Sequence, residues 1–241
     1  MCTVTYIPKP DGFILTHNRD EAPSRSLFSL ETQTIGNDTQ LLFPRDAKAG
    51  GTWIMASDGG RTACILNGAF VLHERKLPYR RSRGLMMFDF FEYDDPDDFF
   101  EEYDFEGIEP FTFLLFLQER VTELRWDAHK KHLKHLSSED THFWCSATLY
   151  PPDMQVKREA VFDQWKDSLP DEKIIDPDEI INLHFTGSVG DPAYDFVMSR
   201  DGRVQTVSIT QVLLDKKNAK MKFFDLLEGN RDERQILLKD R

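Results

Sequence analysis

Met1-Cys2-Thr3-Val4-Thr5-Tyr6-Ile7-Pro8-Lys9-Pro10-Asp11-Gly12-Phe13-Ile14-Leu15-Thr16-His17-Asn18-Arg19-Asp20-Glu21 is the stretch on which the fold turns. Thr3 to Ile7 is β-branched and aromatic, the composition of a strand. Pro8 to Gly12 is dense in turn chemistry, and Phe13 to His17 resumes the strand pattern. Two such runs around a turn predict a hairpin. Antiparallel pairing brings the start of the first strand beside the end of the second, so Cys2 becomes a neighbour of Asn18, Arg19 and Asp20.

That neighbourhood has a chemical reading and a structural one. Residue two is small, so loss of Met1 would leave Cys2 as a thiol carrying its own free amine. An α-amine titrates at about 7.7–8.0 and a thiol at about 8.5. The amine can therefore take the thiol proton and later return it to a leaving group. Arg19 would favour the thiolate, and Asp20 would orient the amine. In the structural reading Cys2 is a small buried strand residue, and Asn18 to Glu21 is a polar turn with a solvated charge pair.

Composition narrows the classes. The 241 residues are 40% hydrophobic and include 19 Phe, enough for a sizeable core. The length predicts one domain over residues 1–230, followed by a charged tail at 231–241. A net charge of −12 argues against a nucleic-acid partner, which needs basic patches. Three cysteines at Cys2, Cys64 and Cys145 make neither a metal spacing nor a disulfide framework. With no signal-peptide pattern and no apolar run long enough to span a bilayer, the expectation is a cytoplasmic protein. No cofactor motif is present.

Further along, residues 22–40 lack periodicity and read as loop. Leu41 to Phe43 and Thr52 to Ala56 read as strands. Ser57-Asp58-Gly59-Gly60 is a hairpin turn into Arg61–Asn67. Residues 68 to 81 form a loop with a basic island at Arg75, Lys76, Arg80, Arg81 and Arg83. Two helices follow, Arg83 to Tyr93 and Pro96 to about Tyr103. Phe111 to Leu117, Val121 to Trp126, Lys131 to Leu136 and His142 to Thr148 read as strands. Pro151 to Leu169 reads as a helix with Val156, Ala160, Val161, Phe162, Trp165 and Leu169 on its apolar face, and Asp176 to Phe185 as another. Tyr194 to Met198, Val204 to Leu214 and Met221 to Leu227 read as strands. Hairpins interleaved with paired helices bury most apolar surface as two stacked antiparallel sheets with helices outside, an α+β, four-layer αββα sandwich.

Four motifs then occur in order: Met1-Cys2, Asn18-Arg19-Asp20-Glu21, Gly50-Gly51-Thr52-Trp53, and Gly60-Arg61 leading to Leu66-Asn67. In these the chain resembles the NRDE family, which takes in transport and Golgi organisation 2-type proteins. That family is similar to cysteine-type N-terminal nucleophile (Ntn) hydrolases such as choloylglycine hydrolases and penicillin acylases, which share the αββα fold. The resemblance implies Cys2 as nucleophile, Arg19 and Asp20 flanking it, and Asn67 as an oxyanion-hole residue. An ordinary strand-end Asn is the other reading of Asn67. Asn18, Glu21 and Trp53 belong to the same motifs as binding candidates. The implied substrate is a small-molecule acyl amide or thioester. Eukaryotic relatives imply instead a non-catalytic protein that handles lipid or haem.

Two positions depart from the hydrolase pattern. A second Asn after the middle strand pair is replaced by Ser146-Ala147-Thr148. A late-strand Arg is missing from Gln205–Thr210. Thr148, Ser208 and Thr210 are candidate hydroxyl substitutes. His129, His132 and His135 alternate faces on a strand and do not make a metal site. The acids between Glu92 and Glu109 lack a calcium-loop pattern. Gly187 to Gly190 lacks the context of a phosphate cradle. The basic island at 75–83 would suit an anionic head group or simple exposure.

Overall fold

The computed structural model describes residues 2–25, 29–36, 38–169 and 175–239. The opening hairpin is β1 (Cys2–Lys9) and β2 (Gly12–Glu21), paired from Cys2↔Arg19 to Lys9↔Gly12. Gly12 is required at the turn because a Cβ there would lie 1.9 Å from the Leu214 carbonyl oxygen. The described residues between 22 and 40 carry regular elements where the sequence reads as loop. A 3-10 turn spans Pro23–Arg25, and β3 (Leu30–Ile35) pairs with β4 (Thr39–Pro44). Most of β3 is solvent-facing, so its sequence carries no core alternation.

The chain continues through β5 (Ile54–Ser57), β6 (Thr62–Asn67), helices α1 (Arg83–Phe91) and α2 (Pro96–Glu102), then β7 (Phe111–Leu117), β8 (Arg120–Trp126), β9 (Lys131–Leu136) and β10 (His142–Cys145). Helices α3 (Pro152–Asp167) and α4 (Pro177–Thr186) follow. A short β11 (Ser199–Arg200), β12 (Val204–Leu214), β13 (Asn218–Asp225) and β14 (Arg231–Leu237) complete it. Tyr194 to Met198 is irregular rather than a strand. The expected charged tail is also corrected: Arg231–Leu237 pairs with β13 along its length. Its charges mark an edge strand, where they discourage further pairing.

The strands form two antiparallel sheets, ordered β10-β1-β2-β12-β13-β14 with β11 on β12, and β3-β4-β5-β6-β7-β8-β9. Alternation sends Val4, Tyr6, Phe13 and Leu15 into the space between the sheets. There Tyr6 stacks on Phe116 with ring centroids 5.4 Å apart. The other face of the second sheet meets α1 and α2 through Phe90, Phe99, Phe100 and Phe113. Ser82 caps α1 and Asp95 caps α2 by accepting backbone N–H groups, with Pro96 at the first position of α2. The first sheet is covered by α3 and α4. This is the αββα sandwich.

The α3 face differs from the apolar pattern. Phe162 is buried as expected, but Val156 and Ala160 face solvent and Arg158 is buried. Arg158 fits there because its guanidinium has an aromatic face and carbonyl acceptors waiting, described below. On the opposite side Phe113 is fully buried, its ring 4.9 Å from that of Phe90. Phe113→Ala is expected to cost about 3–5 kcal/mol. Urea unfolding would show this as a lowered midpoint at unchanged slope.

Candidate active site

Cys2 sits at the first register position of β1, and its carbonyl accepts the Ser146 N–H at 2.9 Å where β10 ends. Its buried thiol lines a cavity of about 540 Å³ together with Arg19, Glu21, Asp46, Trp53 and Asn67. Burial pushes the thiol above its ordinary pKa, with the Asp20 charge adding to the rise and Arg19 opposing it. The resting group is therefore a thiol, and nucleophilic use of it requires a base.

Strand alternation divides Asn18-Arg19-Asp20-Glu21 between two faces. Arg19 and Glu21 line the cavity. The Arg19 guanidinium is 2.5 Å from the Asp46 carboxylate and lies 4.0 Å over the Trp53 ring. Asp46 is itself fixed, accepting the N–H groups of Lys48 and Ala49. Asn18 and Asp20 face the helical layer and are fully buried. Asn18 donates to the carbonyls of His184 and Phe196. Its Oδ1 lies 2.6 Å from Nδ1 of His184, whose Nε2 is 2.8 Å from the Thr5 hydroxyl. Burial, with Arg158 nearby, holds the His184 pKa down to about 3. The ring is thus neutral, with Nδ1–H donating to Asn18.

Asp20 accepts the Tyr150 hydroxyl and the Thr206 hydroxyl, each at 2.7 Å. Burial raises its pKa, against the opposing influence of Arg158, Tyr150 and Thr206. Arg158 lies 4.0 Å over the Tyr150 ring and donates to Thr3 and to the carbonyls of Tyr194 and Asp195. A buried carboxylate and a buried guanidinium thus face each other through one aromatic ring. A β-bulge at Val207 makes this possible. It turns Thr206 toward Asp20 on the helical face while Ser208, two residues on, pairs across from Arg19.

Asn67 ends β6 on the cavity wall, and its carbonyl accepts the Ser146 hydroxyl at 2.8 Å. Ser146 Oγ lies 3.1 Å from Thr148 Oγ1. Gly68 follows at φ 78°, with room for no side chain because a Cβ would sit 2.4 Å from the Thr148 methyl. Thr148 therefore braces the Asn67-Gly68 turn from behind. Ser208 is fully buried, and its hydroxyl has no hydrogen-bond partner among the described residues.

The structure brings Cys2, Arg19, Glu21, Trp53 and Asn67 to one cavity and sets Asn18 and Asp20 behind it, while Thr148 and Ser208 are not among the residues that line it. Sequence reasoning missed Asp46, Tyr150, Arg158 and His184. The pairing of Arg158 with Phe162 at i, i+4 was the one available signal for a cation on the inward helix face. Among the described residues no cluster of three or more His, Cys, Asp or Glu is placed to hold a metal. His132 pairs with Asp127, and His135 with Thr122. No helix among them is long and apolar enough to cross a membrane.

Arg158→Met would leave the Asp20 charge uncompensated, at a cost on the order of 3 kcal/mol near neutral pH. The Asp20 pKa, already raised by burial, would rise further. The deficit is then full above that pKa and shrinks as pH falls through it, because protonation removes the buried charge. Urea unfolding of both proteins across that range would read the sign.

Comparison with known proteins adds the following. The solved structure of penicillin V acylase from Agrobacterium tumefaciens is similar at a TM-score of 0.52 and 11% identity, covering 97% of this chain and 85% of that one. A conjugated bile acid hydrolase from Clostridium perfringens gives 0.61 at 7% identity, covering 100% and 97%. The N-acylethanolamine-hydrolyzing acid amidase ortholog of Caenorhabditis elegans gives 0.51 at 10%, covering 88% and 92%. At these identities the likeness shows the fold, that of the Ntn hydrolases. A search of curated proteins gives no match. The model of the family described as Transport and Golgi organisation 2 matches residues 1–186, and the chain belongs to that family.

Proposed function

We propose that the protein is an N-terminal-cysteine hydrolase or acyltransferase acting on an amide or thioester carbonyl. The observation that carries this reading is Cys2 at the wall of a cavity shared with Arg19 and Asn67. Support also comes from the fold, since the similar solved structures are of enzymes named for hydrolysing amides or for acylase activity.

In the proposed reaction Met1, which lies outside the described residues, is first removed. Asp20 stands one position beyond the Cys2↔Arg19 pair, so the amine freed at Cys2 emerges beside a carboxylate able to orient it. The amine takes the thiol proton, and sulfur attacks the carbonyl carbon to form a C–S bond. The carbonyl π electrons move to oxygen, and the Asn67 side chain with a backbone N–H donates to that oxyanion. Collapse breaks the C–N or C–S bond to the leaving group, which takes the proton from the amine. Water, or an acceptor amine, then resolves the acyl-enzyme and restores the thiol. Arg19 sets the field and Glu21 and Trp53 shape the wall.

A second reading is that the scaffold binds a lipid or haem without turnover. It is favoured by one observation: where cysteine hydrolases carry a second Asn, this chain uses the Ser146 hydroxyl to hold the Asn67 carbonyl. That hydroxyl is committed to structure.

Intact-mass labelling with acyl-thioester and acyl-amide probes separates the two. The enzyme reading expects loss of Met1 and an acyl adduct that Cys2→Ala abolishes. Retained Met1 with no adduct on Cys2 would sink it. Asn67→Ala is expected to slow acylation by about 10²–10³-fold, the scale of one oxyanion donor, while alkylation of Cys2 by iodoacetamide proceeds unchanged. An equal loss in both reactions would mean that Asn67 only supports the wall.

A further inference from the structure

The link between β6 and α1 combines three properties that neither the fold nor the proposed chemistry demands. It is apolar and exposed. Phe70, Val71, Leu72 and Leu77 are 47%, 68%, 74% and 70% exposed, and they make up four of the eight large hydrophobics exposed among the described residues. Single exposed apolar side chains are ordinary, but consecutive ones on one loop are not.

The link is also basic in an acidic protein. Between residues 70 and 80, Arg75, Lys76 and Arg80 stand against Glu74, within a chain of net charge −12. Arg75 and Arg80 reach a carboxylate only at 3.6 Å. Glu109 is shared by Arg83 at 2.9 Å, His73 at 3.2 Å and Arg75 at 3.6 Å. Arg80 is spread between the backbone carbonyls of Glu106 and Asp104 and the Asp104 carboxylate at 3.6 Å.

Finally, the link stands at the cavity mouth. Arg75, Leu77, Pro78 and Tyr79 line the cavity that Cys2 also lines. The Phe70 ring is steadied at the base of the loop, 5.1 Å from the Arg125 guanidinium and 4.9 Å from the His132 ring. Val71 and Leu72 project beyond it.

We propose that residues 70–80 dock the protein on an anionic lipid surface, with Val71, Leu72 and Leu77 entering the interface and Arg75 and Lys76 meeting the phosphates. An exposed apolar run followed directly by cations matches a fluid interface with buried acyl chains and anionic head groups. The mouth of the cavity then opens at the membrane, so an acyl substrate dissolved in lipid enters beside Leu77. That corollary rests on the Cys2 reading, whereas the docking itself does not.

Co-sedimentation of the full chain with phosphatidylcholine vesicles, with and without phosphatidylserine, tests it. Binding is expected to the phosphatidylserine vesicles and to weaken with salt. The Arg75→Glu, Lys76→Glu pair should reduce partitioning by roughly tenfold or more. The Val71→Asp, Leu72→Asp pair should abolish it while leaving the circular dichroism spectrum and thiol labelling of Cys2 unchanged. Three outcomes would overturn the proposal: no binding of the unaltered protein to either vesicle, binding that survives both variants, or lipid-free self-association in sedimentation that the Val71, Leu72 variant removes. The last would make a second copy the occupant.

Discussion

The alternation of side chains along β2 is the constraint on which the site depends. One strand in the middle of one sheet serves two compartments. Arg19 and Glu21 reach the cavity, while Asn18 and Asp20 reach the helical layer. A slip of one residue in the β1–β2 pairing would exchange the two sets. It would place a carboxylate beside the thiol and an unpaired guanidinium among α3 and α4. The paired register, from Cys2↔Arg19 to Lys9↔Gly12, is held from both sides. Tyr6, Phe13 and Leu15 are fixed in the core between the sheets, and Asn18 is locked to the His184 and Phe196 carbonyls.

Buried polar groups on the helical side make this register specific rather than merely stable. Asp20, Tyr150, Thr206, Arg158 and Thr3 come from five separate segments and are linked by hydrogen bonds and one cation–π contact. Removing any member strands a buried donor, acceptor or charge. The bulge at Val207 belongs to the same arrangement. Without it Thr206 and Ser208 would share a face, and either Asp20 would lose a donor or a hydroxyl would leave the row opposite Arg19.

Much of this was legible in the sequence, for identifiable reasons. The hairpin declared itself because β-branched runs flank a Pro-Asp-Gly turn, and antiparallel geometry then placed Cys2 near Arg19. The layered fold followed from hairpins alternating with helix pairs. Elements whose sequence lacks a core signal were missed. The edge strand β3 is mostly exposed, and β14 carries Arg231, Asp232, Glu233 and Arg234 in a row. On α3 the apolar pattern found Phe162 but also pointed to the exposed Val156 and Ala160, and it missed the buried Arg158. Hydropathy counts a guanidinium as outward-facing, and only the tertiary arrangement supplies the Tyr150 ring and carbonyls that let it turn in. Asp46 was hidden likewise, in a loop whose composition announces a turn and not an ion pair.

The electrostatics of the cavity bear on how Cys2 could be activated. Arg19 is the nearest candidate for lowering the thiol pKa, yet its guanidinium is held at 2.5 Å by Asp46 and stacked on Trp53. Arg19 still favours the thiolate, but burial outweighs it and keeps the thiol above its ordinary pKa. His17 does not substitute as a base. It lies one row below on the same face of β2, and burial drives its pKa well down, but it is absent from the cavity wall. His184 is neutral and faces the other side, with both ring nitrogens engaged. In the proposed reaction the base is therefore the α-amine freed at Cys2, with Asp20 one register position away. Asp46 and Trp53 together fix the Arg19 guanidinium on the cavity wall that Cys2 shares, so its charge cannot move closer to the sulfur without giving up both contacts.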